Sequence, residues 1–212
     1  MGDDSVTARA RAWEIGPGTE ADLPGIVAVL NHTAAHTIAN LDTRPIDVAQ
    51  RREWFRQFAA TGPYRLFVAR HGAQVLGYVA SQRYREHEAF RETVEVSVSL
   101  DVSCRGQGLG TALYRLLFDA LASEPVHVAL AGIALPNPAS VALHRRYGFT
   151  EIGTFREYAV KNGQYVSSVW MQRIFRRPSP PHGQPSARYV GGYGDHTGPA
   201  GVCARSRSGP CS

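Results

Sequence analysis

The stretch Arg105-Gly106-Gln107-Gly108-Leu109-Gly110 constrains this chain more than any other. Before it, residues 92–102 alternate as a strand does. Val94, Val96, Val98 and Leu100 fall on one face, and Glu95, Ser97 and Ser99 on the other. After it, apolar residues at 109, 113, 116, 117, 120 and 121 recur at the spacing of one helix face. The stretch is therefore a glycine-rich turn between a strand and the start of a helix.

Such a turn has a definite chemistry. The first N–H groups of a helix lack intrahelical partners and sit at the positive end of its dipole. Glycines let a ligand approach the backbone closely. The turn is thus suited to a phosphate or pyrophosphate. The dinucleotide fingerprint does not fit, because Gly106, Gly108 and Gly110 have the wrong spacing. The nucleotide P-loop needs Gly-Lys-Ser/Thr, and the only lysine is Lys161. What remains is Arg/Gln-x-x-Gly-x-Gly, met by Arg105, Gly108 and Gly110. Taken alone, these six residues fit a plain connection before an amphipathic helix equally well.

The rest of the chain supplies the context. Trp13-Glu14-Ile15 reads as a first strand. Thr19 to Asp22 is a capping box opening a helix from about 20 to 31. A loop over 32–46 carries His32, His36, Asn40 and Asp42. The two histidines have zinc-ligand spacing, but no third ligand motif is near and no metal is expected. A second helix runs from Asp47 to about Phe58. Tyr64–Arg70 and Gln74–Arg83 form a hairpin at His71-Gly72, and Tyr84–Arg91 connects to the central strand. Val126–Ile133 is apolar enough for a strand covered on both faces. Pro138 starts a short helix, Ser140–Tyr147, which Gly148 ends. Phe149–Lys161 and Tyr165–Ile174 flank Asn162-Gly163, a strong hairpin signal.

At this point the sequence resembles the GNAT superfamily of acetyl-CoA-dependent N-acetyltransferases. The carriers are the Arg105–Gly110 turn, the element order β-α-α-β-β-β-α-β-α-β-β, and Asn137-x-x-Ser140-x-x-x-His144-x-x-Tyr147-Gly-Phe149. The resemblance implies an α/β fold (α+β in the stricter sense): one domain over residues 13–175, with a central mixed, mostly antiparallel twisted sheet and about four helices. It implies acetyl-CoA as co-substrate, bound by Val98, Ser99, Leu100, Arg105, Gly106, Gln107, Gly108, Leu109, Gly110, Thr111, Asn137, Ser140 and Tyr147. Thr93-Val94-Glu95, Leu135 to His144 and Trp170-Met171-Gln172 further resemble the phosphinothricin N-acetyltransferase group. Its members acetylate the α-amino group of phosphinothricin, methionine sulfoximine or related amino acids, typically as homodimers. The resemblance makes Glu95 the general base and puts His144 where many relatives have a tyrosine acid, with a purely orienting role for a buried histidine equally open. It places Arg85, His87, Phe90 and Ser99 against the acceptor. Because His87, Phe90 and Ser99 replace a basic residue and two tyrosines, the pocket is expected to favour methionine sulfone or sulfoximine over phosphinothricin.

Two other functions stay open: acetylation of protein N-termini or ribosomal proteins, and acyl-CoA sensing without turnover. The formal charge of +5 is spread among interleaved acids and bases, so neither a nucleic-acid nor a membrane partner is expected. The three cysteines form no disulfide framework, and the cytoplasm is the default location. Residues 1–12 and the Pro/Gly/Ser/Arg-rich residues 176–212 are expected to be disordered.

Overall fold

The computed structural model describes residues 13–175. The expectations for residues 1–12 and 176–212 lie outside them. Seven strands form one sheet in the order β1-β2-β3-β4-β5-β7-β6. In chain order the elements are β1 (Glu14–Pro17), α1 (Leu23–His36), α2 (Val48–Phe55), β2 (Arg65–His71), β3 (Gln74–Arg83), β4 (Thr93–Leu100), α3 (Leu109–Leu121), β5 (Val128–Leu135), α4 (Pro138–Arg146), β6 (Thr150–Lys161) and β7 (Gln164–Ile174). All neighbours pair antiparallel except β4 and β5. That exception follows from α3, which carries the chain back to the starting edge between these two strands.

The two sheet faces are covered by different helices. Leu109, Leu113, Leu117 and Leu121 form one stripe along α3, each no more than 1% exposed. They pack on Val94 and Val96 of β4 and on Ala129, Ala131 and Ile133 of β5. Each fully buried leucine contributes about 1.5–3 kcal/mol. On the opposite face Leu23, Ile26, Val29 and Leu30 of α1 pack against Tyr78 and Ala80 of β3, with Trp54 and Phe58 alongside. The alternation in β4 therefore divides two environments: its valines belong to the α3 core, while Glu95, Ser97 and Ser99 face the α1/α2 side. The β6–β7 hairpin turns at Asn162 (φ 51°) and Gly163 (φ 76°), two adjacent left-handed residues that match the strand twist.

Two helix ends differ from expectation. α1 runs on to His36 instead of ending near residue 31, so His32 is helical. Thr33 is buried, and its hydroxyl donates to the Val29 carbonyl at 2.8 Å, so a residue read as loop continues the helix. α2 stops at Phe55, short of Phe58. There the backbone closes with i,i+3 bonds, Phe58 N to Phe55 O at 3.1 Å, while Phe58 packs edge-on against Trp54 at 4.5 Å.

Candidate active site

The site begins where two strands part. The β4–β5 register covers only Thr93–Glu95 opposite Val128–Leu130. β4 continues along β3 as far as Leu100. Asp101 N–H donates to Leu76 O at 2.8 Å, which sets the alternation along β4. Odd-numbered residues turn their backbone groups to β3, and even-numbered residues turn theirs away. The N–H groups of Val98 and Leu100 thus face the gap that β5 has left.

The glycine turn closes one end of this gap. Asp101 Oδ1 accepts from Ser103 N–H at 2.8 Å and starts a short 3-10 turn. Gln107 Nε2 donates to Ser103 O at 2.7 Å, so Gln107 braces the turn from within. Gly108 has φ 83° and caps α3. The first helical bond is Ala112 N to Gly108 O at 3.0 Å, leaving the N–H groups of Leu109, Gly110 and Thr111 without intrahelical partners. A cavity of ≈ 650 Å³ opens in front of them. Its lining includes Val98, Ser99, Leu100, Arg105, Gly106, Gly108, Leu109, Gly110, Thr111, Asn137 and Ser140. Asn137 caps α4 by accepting from Ser140 N–H at 3.1 Å. The third wall, Thr37 to Ala39, follows α1. Lys161, 4% exposed, holds it there by donating to Thr37 O at 2.7 Å and to Asn40 O. Unpaired N–H groups, a helix N-terminus and the cations Arg105 and Arg146 suit a long anionic ligand with a pyrophosphate.

Glu95 lies on the other face of β4, opposite Gln82 of β3 and Leu130 of β5. Trp54 Nε1 donates to Gln82 Oε1 at 2.8 Å, which roofs this side with α2. Beyond β5, Trp170 of β7 meets Tyr84 at 6.5 Å and Phe155 at 6.3 Å between centroids, and Tyr84 meets Phe90 at 5.4 Å. Burial pushes the Glu95 carboxyl above its ordinary range, and no charge or hydrogen bond offsets that shift.

The structure does not bring every expected residue to this place. Arg85 and His87 are exposed at the rim. Arg85 lies 5.1 Å over the Tyr84 ring, and His87 caps the turn Glu88–Phe90 by accepting from Ala89 N–H at 3.1 Å. Gln107 and Tyr147 do not line the cavity; the Tyr147 hydroxyl donates to Thr111 O and ties α4 to α3. His144 lies inside the core. It is 3% exposed, with Nε2 2.8 Å from the Tyr114 hydroxyl and Nδ1 2.7 Å from Ser140 O. Burial pushes its pKa down and keeps the ring neutral. His32 and His36 stack on each other at 4.3 Å, and among the described residues no three His, Cys, Asp or Glu converge as a metal site. Among them, too, no helix is long and apolar enough to cross a membrane.

Gln82, Trp54 and Lys161 were not picked out by sequence reasoning. Only Lys161 carried a signal, as the one lysine of the chain beside a tight hairpin.

A sheet parted between β4 and β5, with unpaired helix N–H groups at one end and a desolvated carboxylate on the floor, is the arrangement an acyl-CoA-dependent N-acyltransferase needs. The sequence profile of the Acetyltransferase (GNAT) family matches residues 34–149, and the chain belongs to that family. It is 41% identical over 162 residues to the phosphinothricin N-acetyltransferase of Streptomyces coelicolor, covering 76% of this chain and 95% of that protein. It is 39% identical over 153 residues to the L-methionine sulfoximine/L-methionine sulfone acetyltransferase of Pseudomonas aeruginosa, covering 72% and 88%. Its fold matches the GNAT superfamily phosphinothricin acetyltransferase of Sinorhizobium meliloti, solved in complex with acetyl-CoA. There the TM-score is 0.73 at 26% identity, covering 87% of this chain and 97% of that one. The protein is an N-acetyltransferase of this family.

Proposed function

We propose that the chain transfers acetyl to the α-amino group of a small amino acid of the methionine sulfone or sulfoximine kind, by direct attack in a ternary complex. The observation that carries this reading is Glu95, desolvated on the β4 floor where the strands part and opposite Gln82, which Trp54 covers. Acetyl-CoA supplies an activated thioester, and the chain's own residues do the rest. The N–H groups of Leu109, Gly110 and Thr111 hold the pyrophosphate, and Asn137 and Ser140 line its arm. Glu95 takes the ammonium proton of the acceptor, directly or through a water, and frees the nitrogen lone pair. The Leu100 N–H, turned into the gap, stabilises the negative charge gathering on the thioester oxygen. A thiol with a pKa of about 8.5 leaves as thiolate without a dedicated acid, and the second proton shed by the acylated nitrogen passes to that thiolate through solvent. His144 then has a positioning part only, joining α4 to α3 through Tyr114.

That part can be checked. Turnover of His144→Gln is expected to stay near wild type rather than fall by the roughly 10²–10⁴-fold that loss of a general acid brings. Wild-type stability carries the opposite sign of evidence. The folded-state pKa of His144 lies below its ordinary 6.5. The unfolded chain therefore takes up the proton first, and stability is lost as pH falls through that value. Melting curves of the variant should lack this acid-side loss. A collapse of turnover with the fold intact would restore the acid role.

The family's homodimer also has a physical counterpart here. β6 is an edge strand, and Ile152, Phe155, Tyr158 and Val160 on it are about half exposed. We take this edge as the dimer surface; sedimentation giving a single-chain mass at micromolar concentration would refute it.

The aromatic walls formed by Tyr84, Phe90, Phe155 and Trp170 favour a small acceptor over a protein terminus. Thiol release from acetyl-CoA against a panel of methionine sulfone, methionine sulfoximine, phosphinothricin and N-terminal peptides tests the whole reading. The sulfone is expected to lead, since the rim offers Arg85 and His87 in place of two permanently charged basic residues. A peptide leading the panel would move the protein to the N-terminal class. Acetyl-CoA binding with no thiol release for any acceptor would make it a sensor.

A further inference from the structure

The α1/α2 side of the site contains a cation that the reaction above does not use. Arg51 of α2 stacks its guanidinium on Trp54, with Cζ 3.3 Å from the ring centroid. One nitrogen donates to the Tyr78 hydroxyl at 3.0 Å. Its Nε is buried and has no hydrogen-bond partner. Arg52, Arg56, Arg65, Arg70, Arg83, Arg91 and Arg145 each pair with a carboxylate. Arg51 does not, although it is largely desolvated, and Asp42 acts on it only from beyond ion-pair distance. An exposed arginine such as Arg85 needs no partner. A desolvated one is costly without a partner, and a ligand anion can supply it.

The position of Arg51 identifies that anion. Tyr78 lies opposite Ser99 in the β3–β4 register, and Gln82 lies opposite Glu95. Trp54 bonds Gln82, so Arg51 is tied by one contact to the Ser99 end of the floor and by two to the Glu95 end. Glu95 and Ser99 are four residues apart on one strand, about 13 Å. The guanidinium is therefore anchored to the two β3 residues paired with Ser99 and Glu95, beside the stretch where the acetyl-transfer reading puts the acceptor. An α-amino acid carries its amine and carboxylate on the same carbon, so an amine over Glu95 keeps its carboxylate within a few ångströms.

We propose that Arg51 binds the α-carboxylate of the acceptor through its planar fork, making the site selective for amino acids over simple amines. This rests on the acetyl-transfer reading and adds the determinant of substrate class to it. Gln82, Trp54 and Tyr78 are positioning residues for that guanidinium.

The test compares L-methionine sulfone with its carboxamide, which keeps the amine and loses the negative charge. Wild type should prefer the acid by about 10–100-fold in kcat/KM, the range of one charge-assisted pair. Arg51→Met keeps an apolar stem over Trp54. It should lose that preference by raising KM for the acid alone, with KM for the carboxamide and for acetyl-CoA unchanged. Arg51→Lys should fall between. A merely structural arginine would weaken both acceptors together, and that result overturns the proposal, as does a preference retained in Arg51→Met. Calorimetric titration of methionine sulfone into wild type and Arg51→Met reads the contact without turnover. If no acceptor releases thiol yet the two proteins differ in sulfone affinity, the transfer reading fails and the arginine's role stands. Equal affinities, or no binding to wild type, remove the role.

Discussion

Glu95→Gln is expected to lower turnover at neutral pH by roughly 10²–10⁴-fold while acetyl-CoA affinity stays within the error of calorimetry. Glutamine preserves the shape of the side chain on the β4 floor and removes its basicity. The cofactor cavity is built from the other end of β4, from α3 and from α4, so it does not feel the change. A second readout has the opposite sign. The folded-state pKa of Glu95 is raised by burial above its ordinary 4.5. Between that value and the raised one, the folded protein holds a proton that the unfolded chain has released, so stability falls as pH rises through this window. Above it the ionised carboxylate is a standing cost. The glutamine variant should therefore melt higher than wild type at pH 7, and the two should converge below about pH 4.5. Activity lost together with stability would mean a damaged fold and not a missing base. Full activity of the variant at every pH would remove Glu95 from the mechanism.

Gly108→Trp is the second large effect. Gly108 has φ 83°, and a Cβ built there meets nothing within 4 Å. The open space is the cavity in front of the α3 N-terminus. An L-residue in that conformation costs about 1–2 kcal/mol, which a domain of this size tolerates. The indole, however, would occupy the approach to the N–H groups of Leu109, Gly110 and Thr111. Losing several charge-assisted contacts at once should weaken acetyl-CoA binding on the order of 10²-fold or more. Gly72→Trp is the matched control, since Gly72 also has a positive φ (55°) and open space but sits in the β2–β3 hairpin. Calorimetry should show affinity lost in the first and kept in the second. Unchanged acetyl-CoA affinity in a folded Gly108→Trp would take the turn out of the cofactor site.

Much of this protein is legible locally. The 2-residue period of β4, the 3.6-residue period of α3 and the glycines between them set the strand–turn–helix unit before any contact is known. The helix start at Pro138 and the Asn162-Gly163 turn are likewise properties of a few neighbouring residues, and both stand where the sequence places them. Period also shows that Glu95 and the valines of β4 point to opposite faces. What period does not specify is which element covers each face. That Gln82, Trp54 and Arg51 converge on the Glu95 side depends on β3 pairing with β4 and on α2 lying over both. The histidine of α4 shows the same limit in reverse. Its spacing from Asn137 matches a motif, but its contact with Tyr114 exists only once α4 has packed on α3. Lys161 reaches Thr37 and Asn40 from the far end of the chain, and its capping of α1 exists only once the sheet has closed. Short-range sterics and hydrogen bonds determined the elements and the anion-binding turn from sequence alone. The acceptor side is made of side chains from strands and helices distant in sequence, so packing in three dimensions decided it.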